Sequence, residues 1–274
     1  MQTLITEFGP PSRRQVGVLQ RAGTASPRAA WLLARPMGQE AVRTAATYRV
    51  LSDRVSRAGC EALRFDYHGT GDAAGEEADQ SLDGWVQDLL AAQTELHRHV
   101  PLLNHGGLPE HWFGMGLGAN LLLQAAMRSP RRPRHIVIWE PVCHAAAYIQ
   151  SMQDTHRGEL QRELGMPWET LLRRGLAEEP RLPGKVLGFD IGVQLANDLN
   201  HLTPAIDWLP SVLRTGTQVT AWVHAEDRPA LQALGLPGLH LHTVTDRTNW
   251  MSSQAMGTAI VPPELPKALT STLP

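Results

Sequence analysis

The chain of 274 residues lacks the features by which several classes of protein are recognised. Its two cysteines, Cys60 and Cys143, lie far apart in apolar stretches, which leaves no disulfide framework and no cysteine-based zinc site and is typical of a reducing compartment. No stretch approaches about 18 uninterrupted apolar residues, so we expect no transmembrane helix. Residues 1–10 lack a positively charged start followed by an apolar core, so we predict no signal peptide and a cytoplasmic location.

The chain also lacks a marked excess of charge of either sign. It has 25 Lys and Arg against 27 Asp and Glu, a net charge of −2. A nucleic-acid-binding protein needs a clustered basic face. The Arg-rich stretch at residues 131–134 is short, and we interpret it as a solvated turn rather than a phosphate site. We therefore expect no nucleic-acid partner.

What is present is an alternation of short apolar runs with longer stretches of helical periodicity. This pattern predicts a mainly parallel sheet with helices on both faces. The predicted strands are 15–22, 29–36, 60–67, 110–114, 135–140, 218–224 and 239–244. The predicted helices are 39–58, 82–100, 119–128, 229–234 and 264–273.

Residues 142–183 interrupt this alternation, because their pattern is helical with no strand-like run. We predict that they form a helical cap inserted into a core made of residues 1–141 and 184–274. Apolar side chains in the insertion are suited to pack against the core and to roof a cavity. They are Tyr148, Met152, Met166, Trp168 and Leu172.

A glycine-rich turn, Gly114-Met115-Gly116-Leu117-Gly118, joins the predicted strand 110–114 to the helix 119–128. In a G-x-S-x-G nucleophile elbow, such a turn presents a serine at its centre. Here the flanking glycines are present, but Gly116 stands in place of the serine. The same string resembles a dinucleotide-binding fingerprint, which we disfavour because no acidic residue ends a following strand at the right distance.

Three further segments carry a resemblance to a known family. They are Leu63-Arg64-Phe65-Asp66-Tyr67-His68-Gly69-Thr70-Gly71-Asp72, Leu33-Ala34-Arg35-Pro36-Met37-Gly38-Gln39-Glu40 and Trp139-Glu140-Pro141-Val142. Over roughly residues 10–272 the chain resembles the α/β-hydrolase superfamily of the serine aminopeptidase-like type. Within it, the chain is most similar to the hydrolase-like proteins associated with exosortase A systems, one branch of which also lacks the elbow serine. The resemblance implies an α/β-hydrolase fold.

The resemblance also assigns positions to the parts of a hydrolytic site. Gly116 stands at the nucleophile, Asp227 at the triad carboxylate, and Asn249 or Trp250 at the histidine base. The oxyanion-hole positions correspond to Met37, Gly38 and Leu117, and we expect His144, His224 and Trp250 in the pocket. Since glycine has no nucleophilic side chain and the last loop has no histidine there, serine-based hydrolysis is not expected.

Two groups of residues keep other interpretations open. Asp227 precedes a predicted helix with Pro229 in its first turn, and we favour a helix cap over a functional carboxylate. His240 and His242 share one face of the last strand, where with Asp246 they could bind a metal. A half-exposed strand explains the same alternation, so we predict no metal and no cofactor.

These observations leave three hypotheses. The first is a pseudo-hydrolase that binds a small acyl-like or saccharide-like ligand, or a protein partner, without turnover. The second is a non-hydrolytic or unconventional enzyme that uses Asp227, His224 or His144 in acid–base chemistry. The third, which we rank last, is a serine hydrolase whose nucleophile is displaced to Ser252 or Ser253. A pocket with converging titratable groups would favour the second over the first.

Overall fold

The computed structural model describes residues 2–24, 26–245, 248–253, 261–262 and 264–270, apart from the side chains of residues 105 and 270. Its strands are β1 Thr3–Phe8, β2 Gln15–Gln20, β3 Ala30–Ala34, β4 Glu61–Phe65, β5 Glu110–Met115, β6 His135–Trp139, β7 Gly184–Val186, β8 Phe189–Ile191, β9 Gln218–Val223 and β10 Leu239–Thr243. Its helices are α1 Gly38–Arg57, α2 Leu82–His99, α3 Leu117–Arg128, α4 Ala145–Leu164, α5 Trp168–Arg173, α6 Val193–Asn200, α7 Ala205–Arg214, α8 Arg228–Ala233 and α9 Glu264–Thr270.

Eight strands form one central sheet in the order β1-β2-β4-β3-β5-β6-β9-β10. Strand β2 is antiparallel to both of its neighbours, and the other neighbouring pairs from β4 to β10 are parallel. This confirms the predicted mainly parallel sheet, and each of the seven predicted strands is present. The strand order reverses around β3, so the carboxyl ends of β3 and β5 border the crevice in which open α/β sheets bind ligands.

The core lies on both faces of the sheet because side chains alternate along each strand. In β3, Ala30, Leu32 and Ala34 belong to one buried apolar cluster, while Trp31 and Leu33 belong to the cluster on the opposite face. Helix α3 contacts both α2 and α7, whereas α1 contacts α9. The two helical layers hold the strand ends, and therefore the loops that follow them, in fixed positions.

The segment after β6 contains α4 and α5, in agreement with its helical pattern. A two-stranded antiparallel hairpin, β7–β8, follows outside the central sheet and contacts α4. Its two-residue turn is Leu187-Gly188, with φ of +54° and +87°. Two positive φ angles are what a tight type I′ hairpin turn requires. Neither this hairpin nor β1 is among the elements predicted from the sequence.

The described residues include no helix that is long and apolar enough to span a membrane. The predicted terminal helix is present as α9, and residues 271–273 of that prediction lie outside the described residues.

Candidate functional site

The glycine-rich turn between β5 and α3 has the backbone of a nucleophile elbow. Gly116 precedes the first residue of α3 and has φ +53° and ψ −129°. Its N–H donates to the carbonyl oxygen of Trp139 in the neighbouring strand, at 3.0 Å. A positive φ of this kind strains any residue with a Cβ, and such strain persists at functional sites when the surrounding structure enforces it.

The two flanking glycines are required by packing. A Cβ on Gly118 would lie 2.4 Å from the carbonyl oxygen of Arg35, and a Cβ on Gly114 would lie 2.9 Å from the backbone nitrogen of Ala119. Both distances are shorter than any normal contact, and both involve backbone atoms that cannot move aside cheaply. The elbow therefore depends on these glycines for the close approach of α3 to the loop after β3.

Glu40 lies beside the centre of the elbow. A Cβ on Gly116 would stand 3.3 Å from Oε2 of Glu40, and the Tyr148 hydroxyl donates a hydrogen bond of 2.9 Å to the same oxygen. Burial raises the pKa of Glu40 from 4.5 to about 7, although the hydrogen bond from Tyr148 opposes the rise. The position next to Gly116 thus carries a carboxyl group that exchanges its proton near neutral pH.

A cavity of about 390 Å³ opens above the elbow. Its wall includes Gly116 and Glu40, the segment that follows β6, residues of α4, and the ends of the loops after β9 and β10. Five side chains with a carboxyl or imidazole group line this cavity. They are Glu40, Glu140, His144, His224 and Asp227. Titratable groups therefore converge on the cavity from three separate segments of the chain, namely α1, the segment after β6 and the segment after β9.

The structure corrects the interpretation of Asp227 as a helix cap. Asp227 does occupy the position before α8, but its backbone is helical and its side chain makes no capping hydrogen bond. Its carboxylate turns into the cavity, 3.3 Å from Nε2 of His144. The Cys143 thiol is hydrogen-bonded to Asp227, and burial together with that carboxylate raises the pKa of the thiol to about 12. Cys143 is therefore a thiol at neutral pH and not a nucleophile.

On the other side of the cavity, Glu140 connects the end of β6 to the final loop. The Trp250 indole N–H donates to its Oε2 at 3.0 Å, and Nε2 of His224 lies 3.7 Å from its Oε1. Glu140 has a φ of +46°, an uncommon value for a residue with a side chain. A tryptophan thus contacts this carboxylate in the loop where the resemblance places the histidine base.

The predicted site residues are distributed over neighbouring positions. Gly116, Asp227, Asn249, His144, His224 and Trp250 line the elbow cavity. Met37 and Gly38 line two adjoining cavities instead, and Leu117 is fully buried at the first position of α3. At that position its N–H has no acceptor within the helix. The assignment of oxyanion donors to these residues stays a prediction.

Glu40 and Glu140 are site residues to which the sequence analysis gave no role. Both stand inside the segments that carried the resemblance. Glu40 follows a glycine-containing loop, and Glu140 follows a buried strand. The available signal for Glu140 was an acidic residue at a strand end. Glu40 lies in the first turn of a helix, where the helix dipole alone favours an acidic residue.

The remaining candidates lie elsewhere. No group of three or more potential ligands among the described residues could hold a metal ion, and Asp246 lies outside those residues. His242 stacks on Trp222 with 4.5 Å between ring centroids. Ser253 bonds to Arg162 and Glu159 of α4, and neither it nor Ser252 lines the elbow cavity.

Comparison with known proteins extends these observations. No family model and no curated protein matches the chain. Among solved structures, an esterase from Pyrococcus furiosus is 13% identical, with 98% of this chain and 89% of that chain covered and a TM-score of 0.65. A hydrolase from Pseudomonas aeruginosa PA01 is 15% identical, with 97% of each chain covered and a TM-score of 0.61. A proline iminopeptidase from Mycobacterium smegmatis is 14% identical, with 98% and 96% covered and a TM-score of 0.59. Sheet order and structural neighbours together establish that the chain has the α/β-hydrolase fold.

Proposed function

We propose that this protein binds a small ligand in the elbow cavity and does not cleave it by a serine mechanism. The observation that carries the proposal is Gly116 at the centre of a fully formed elbow. Acyl transfer by a serine mechanism on this fold needs a nucleophilic side chain at that residue, and glycine has only a hydrogen in place of a side chain. The resemblance to exosortase A-associated proteins supports the proposal, because one branch of that group also lacks the elbow serine.

The position at which the resemblance expects the histidine base supports the same proposal. A serine triad needs an imidazole held by a carboxylate and directed at the nucleophile. The loop after β10 contributes Asn249 and Trp250 to the cavity, and Trp250 donates to Glu140. The two histidines in the wall, His144 and His224, approach Asp227 and Glu140 respectively. A small acyl-like or saccharide-like molecule is the ligand we expect, with a protein partner as the alternative occupant.

Fluorophosphonate labelling tests this proposal, because the reagent reacts covalently with activated serines. We expect intact-mass spectrometry to show no adduct under conditions that fully label an active esterase of the same fold. We also expect no hydrolysis of p-nitrophenyl acetate or p-nitrophenyl octanoate above the rate of the heat-inactivated protein. A stoichiometric adduct on any serine would overturn the proposal.

A second candidate function is proton-transfer catalysis with Glu40 as the acid or base. It is favoured by the pKa of about 7 at Glu40 and by the convergence of titratable groups on the same cavity. The two candidates differ in one measurement on any compound found to bind. Chemical conversion that Glu40→Gln abolishes while binding persists supports the enzyme, whereas unchanged recovery of the compound supports the binding protein.

A further inference from the structure

The elbow cavity is the first of three cavities that adjoin one another. A narrow space of about 10 Å³ shares Glu40, Tyr148 and Met251 with it. That space in turn shares Met37, Gly38, Phe189 and Ile191 with a third cavity of about 160 Å³. The row runs from the elbow, between the start of α1 and the β7–β8 hairpin, to the turn after β4.

The narrow space is a closed passage with adaptable walls. At about 10 Å³ it has room for about one water molecule, so side chains must move before a chain of atoms can pass. Three of its lining residues are buried methionines, Met37, Met152 and Met251, whose unbranched side chains change shape at low cost. Phe189 closes the passage from the hairpin side, 3.6 Å from where a Cβ on Gly38 would lie.

The distal cavity offers mainly apolar contacts to a ligand. Pro36, Met37, Ala41, Val42, Phe189 and Ile191 form its apolar wall.

Most polar groups around the distal cavity already have partners; among the described residues the exceptions are Nε of Arg35 and the hydroxyl of Tyr67, both of which are buried. Arg35 is paired with Asp66 and donates to the carbonyl oxygen of Ala41 at 2.9 Å. Glu77 accepts from the backbone of Asp190 at 2.6 Å, and Gln80 donates to the carbonyl oxygen of Gly69 at 2.7 Å. A saccharide would bring many hydroxyl groups to a wall with few free partners, whereas an aliphatic chain needs none.

We infer that the three cavities form one site for a ligand with an uncharged polar head and a linear aliphatic chain. The inference rests on the proposed function and specifies its ligand class. The head lies in the elbow cavity beside Glu40, Tyr148 and the carboxylates of the opposite wall. A carboxylate head is disfavoured there by like charge, and a hydroxyl, ester or amide head is accepted. The chain passes Phe189 and ends against Ala41 in the distal cavity.

Isothermal titration calorimetry with primary alcohols from hexanol to dodecanol tests this inference on the whole protein. Each methylene that enters an apolar cavity contributes about 0.8 kcal/mol, so affinity should rise about fourfold per carbon until the distal cavity is filled. Ala41→Phe places a ring in the distal cavity. It should weaken dodecanol binding about tenfold and leave hexanol binding unchanged.

Ala45→Phe is the matched control, because Ala45 is exposed one turn further along α1 and lines none of the three cavities. It should bind every alcohol as the parent does. Affinity that does not depend on chain length, or equal weakening of all alcohols by Ala41→Phe, overturns the inference. Maltose binding without alcohol binding also overturns it. None of these results bears on fluorophosphonate labelling, so the proposed function stands or fails separately.

Discussion

The centre and the flanks of the elbow place opposite demands on the chain. At the flanks, Gly114 and Gly118 have no room for a Cβ, since backbone atoms of α3 and of Arg35 lie within 3.0 Å of the position it would occupy. At the centre, the nearest atom to a Cβ on Gly116 is the Glu40 carboxylate at 3.3 Å, and the obstacle is the backbone angle. The flanking glycines are therefore fixed by packing, while the central position is limited by its backbone angle.

This difference explains how a hydrolase fold persists with no serine at its elbow. The energy that holds α3 against the sheet comes from the close approach at Gly114 and Gly118 and from the apolar residues that α3 buries. None of it requires a hydroxyl at position 116. Glycine at position 116 also avoids backbone strain, because glycine adopts a positive φ without penalty.

The largest effect is expected at the flank, from Gly118→Ala. Its methyl group would meet the carbonyl oxygens of Arg35 and Ala34 at 2.4 and 2.7 Å, so the loop after β3 has to shift. Because overpacking against backbone exceeds the usual cost of an extra methyl, we expect a loss of more than about 3 kcal/mol in chemical denaturation, or no folded protein. Gly158→Ala is the control, since Gly158 lies inside α4 with no atom within 4 Å of the added Cβ. It should stabilise slightly. Equal stability of the Gly118→Ala and Gly158→Ala variants would mean that the flank of the elbow has room for a Cβ.

A smaller loss is expected at the centre, from Gly116→Ser. The strained backbone at φ +53° should cost about 1 to 3 kcal/mol, and Gly116→Ala should cost as much because the strain belongs to the Cβ. Ester hydrolysis should stay close to background, since Asn249 and Trp250 line the cavity where the resemblance places the histidine base. A large gain in p-nitrophenyl ester hydrolysis by the serine variant over the alanine variant would show that a titratable group of the cavity acts as a base for the new hydroxyl.

The neighbour of the centre, Glu40, should make stability depend on pH. With a pKa near 7 in the folded state and 4.5 when unfolded, the folded protein binds more protons between these values. The contribution of Glu40 to stability is therefore full below about pH 4.5 and falls as the pH rises to about 7. Glu40→Gln removes this loss and can still accept the hydrogen bond from Tyr148. Thermal melts should show the variant stabilised by about 1 to 2 kcal/mol at pH 8 and unchanged near pH 4.5. A constant difference across pH would contradict the raised pKa.

The smallest effect is expected at Asp227, whose partner His144 is mostly exposed to solvent. Asp227→Asn keeps an acceptor for the Cys143 thiol, and the unfolding free energy should change by less than about 1 kcal/mol. Removing the carboxylate charge should nevertheless lower the pKa of Cys143, because that charge contributes to its rise to about 12. Iodoacetamide should then alkylate Cys143 faster at pH 9, while the fully buried Cys60 should stay unmodified in both proteins. An unchanged alkylation rate would mean that the thiol and the carboxylate are not coupled.

The parallel sheet could be predicted from the sequence because its central strands β3, β5 and β6 are buried on both faces and stand out as apolar runs. Strand β1 at the sheet edge alternates exposed and buried residues, and the β7–β8 strands have only three residues each, so neither gives a comparable signal. Asp227 was interpreted as a helix cap because a cap sequence does not reveal the backbone angles. Its φ of −83° and ψ of −24° are helical, whereas a capping residue has an extended backbone. Glu40 could not be found because its hydrogen-bond donor, Tyr148, is 108 residues away.

The hydrogen bond from Trp250 to Glu140 also has an optical consequence. An indole whose N–H points at a carboxylate emits at a wavelength set by the charge and polarity around it, so this side chain reports on the cavity wall that it forms. A molecule that enters the cavity changes that environment and shifts the fluorescence of the unlabelled protein. Since the chain has eight tryptophans, the difference spectrum between the parent and Trp250→Phe isolates the signal. Compound libraries can thus be screened by intrinsic fluorescence, with no substrate known in advance.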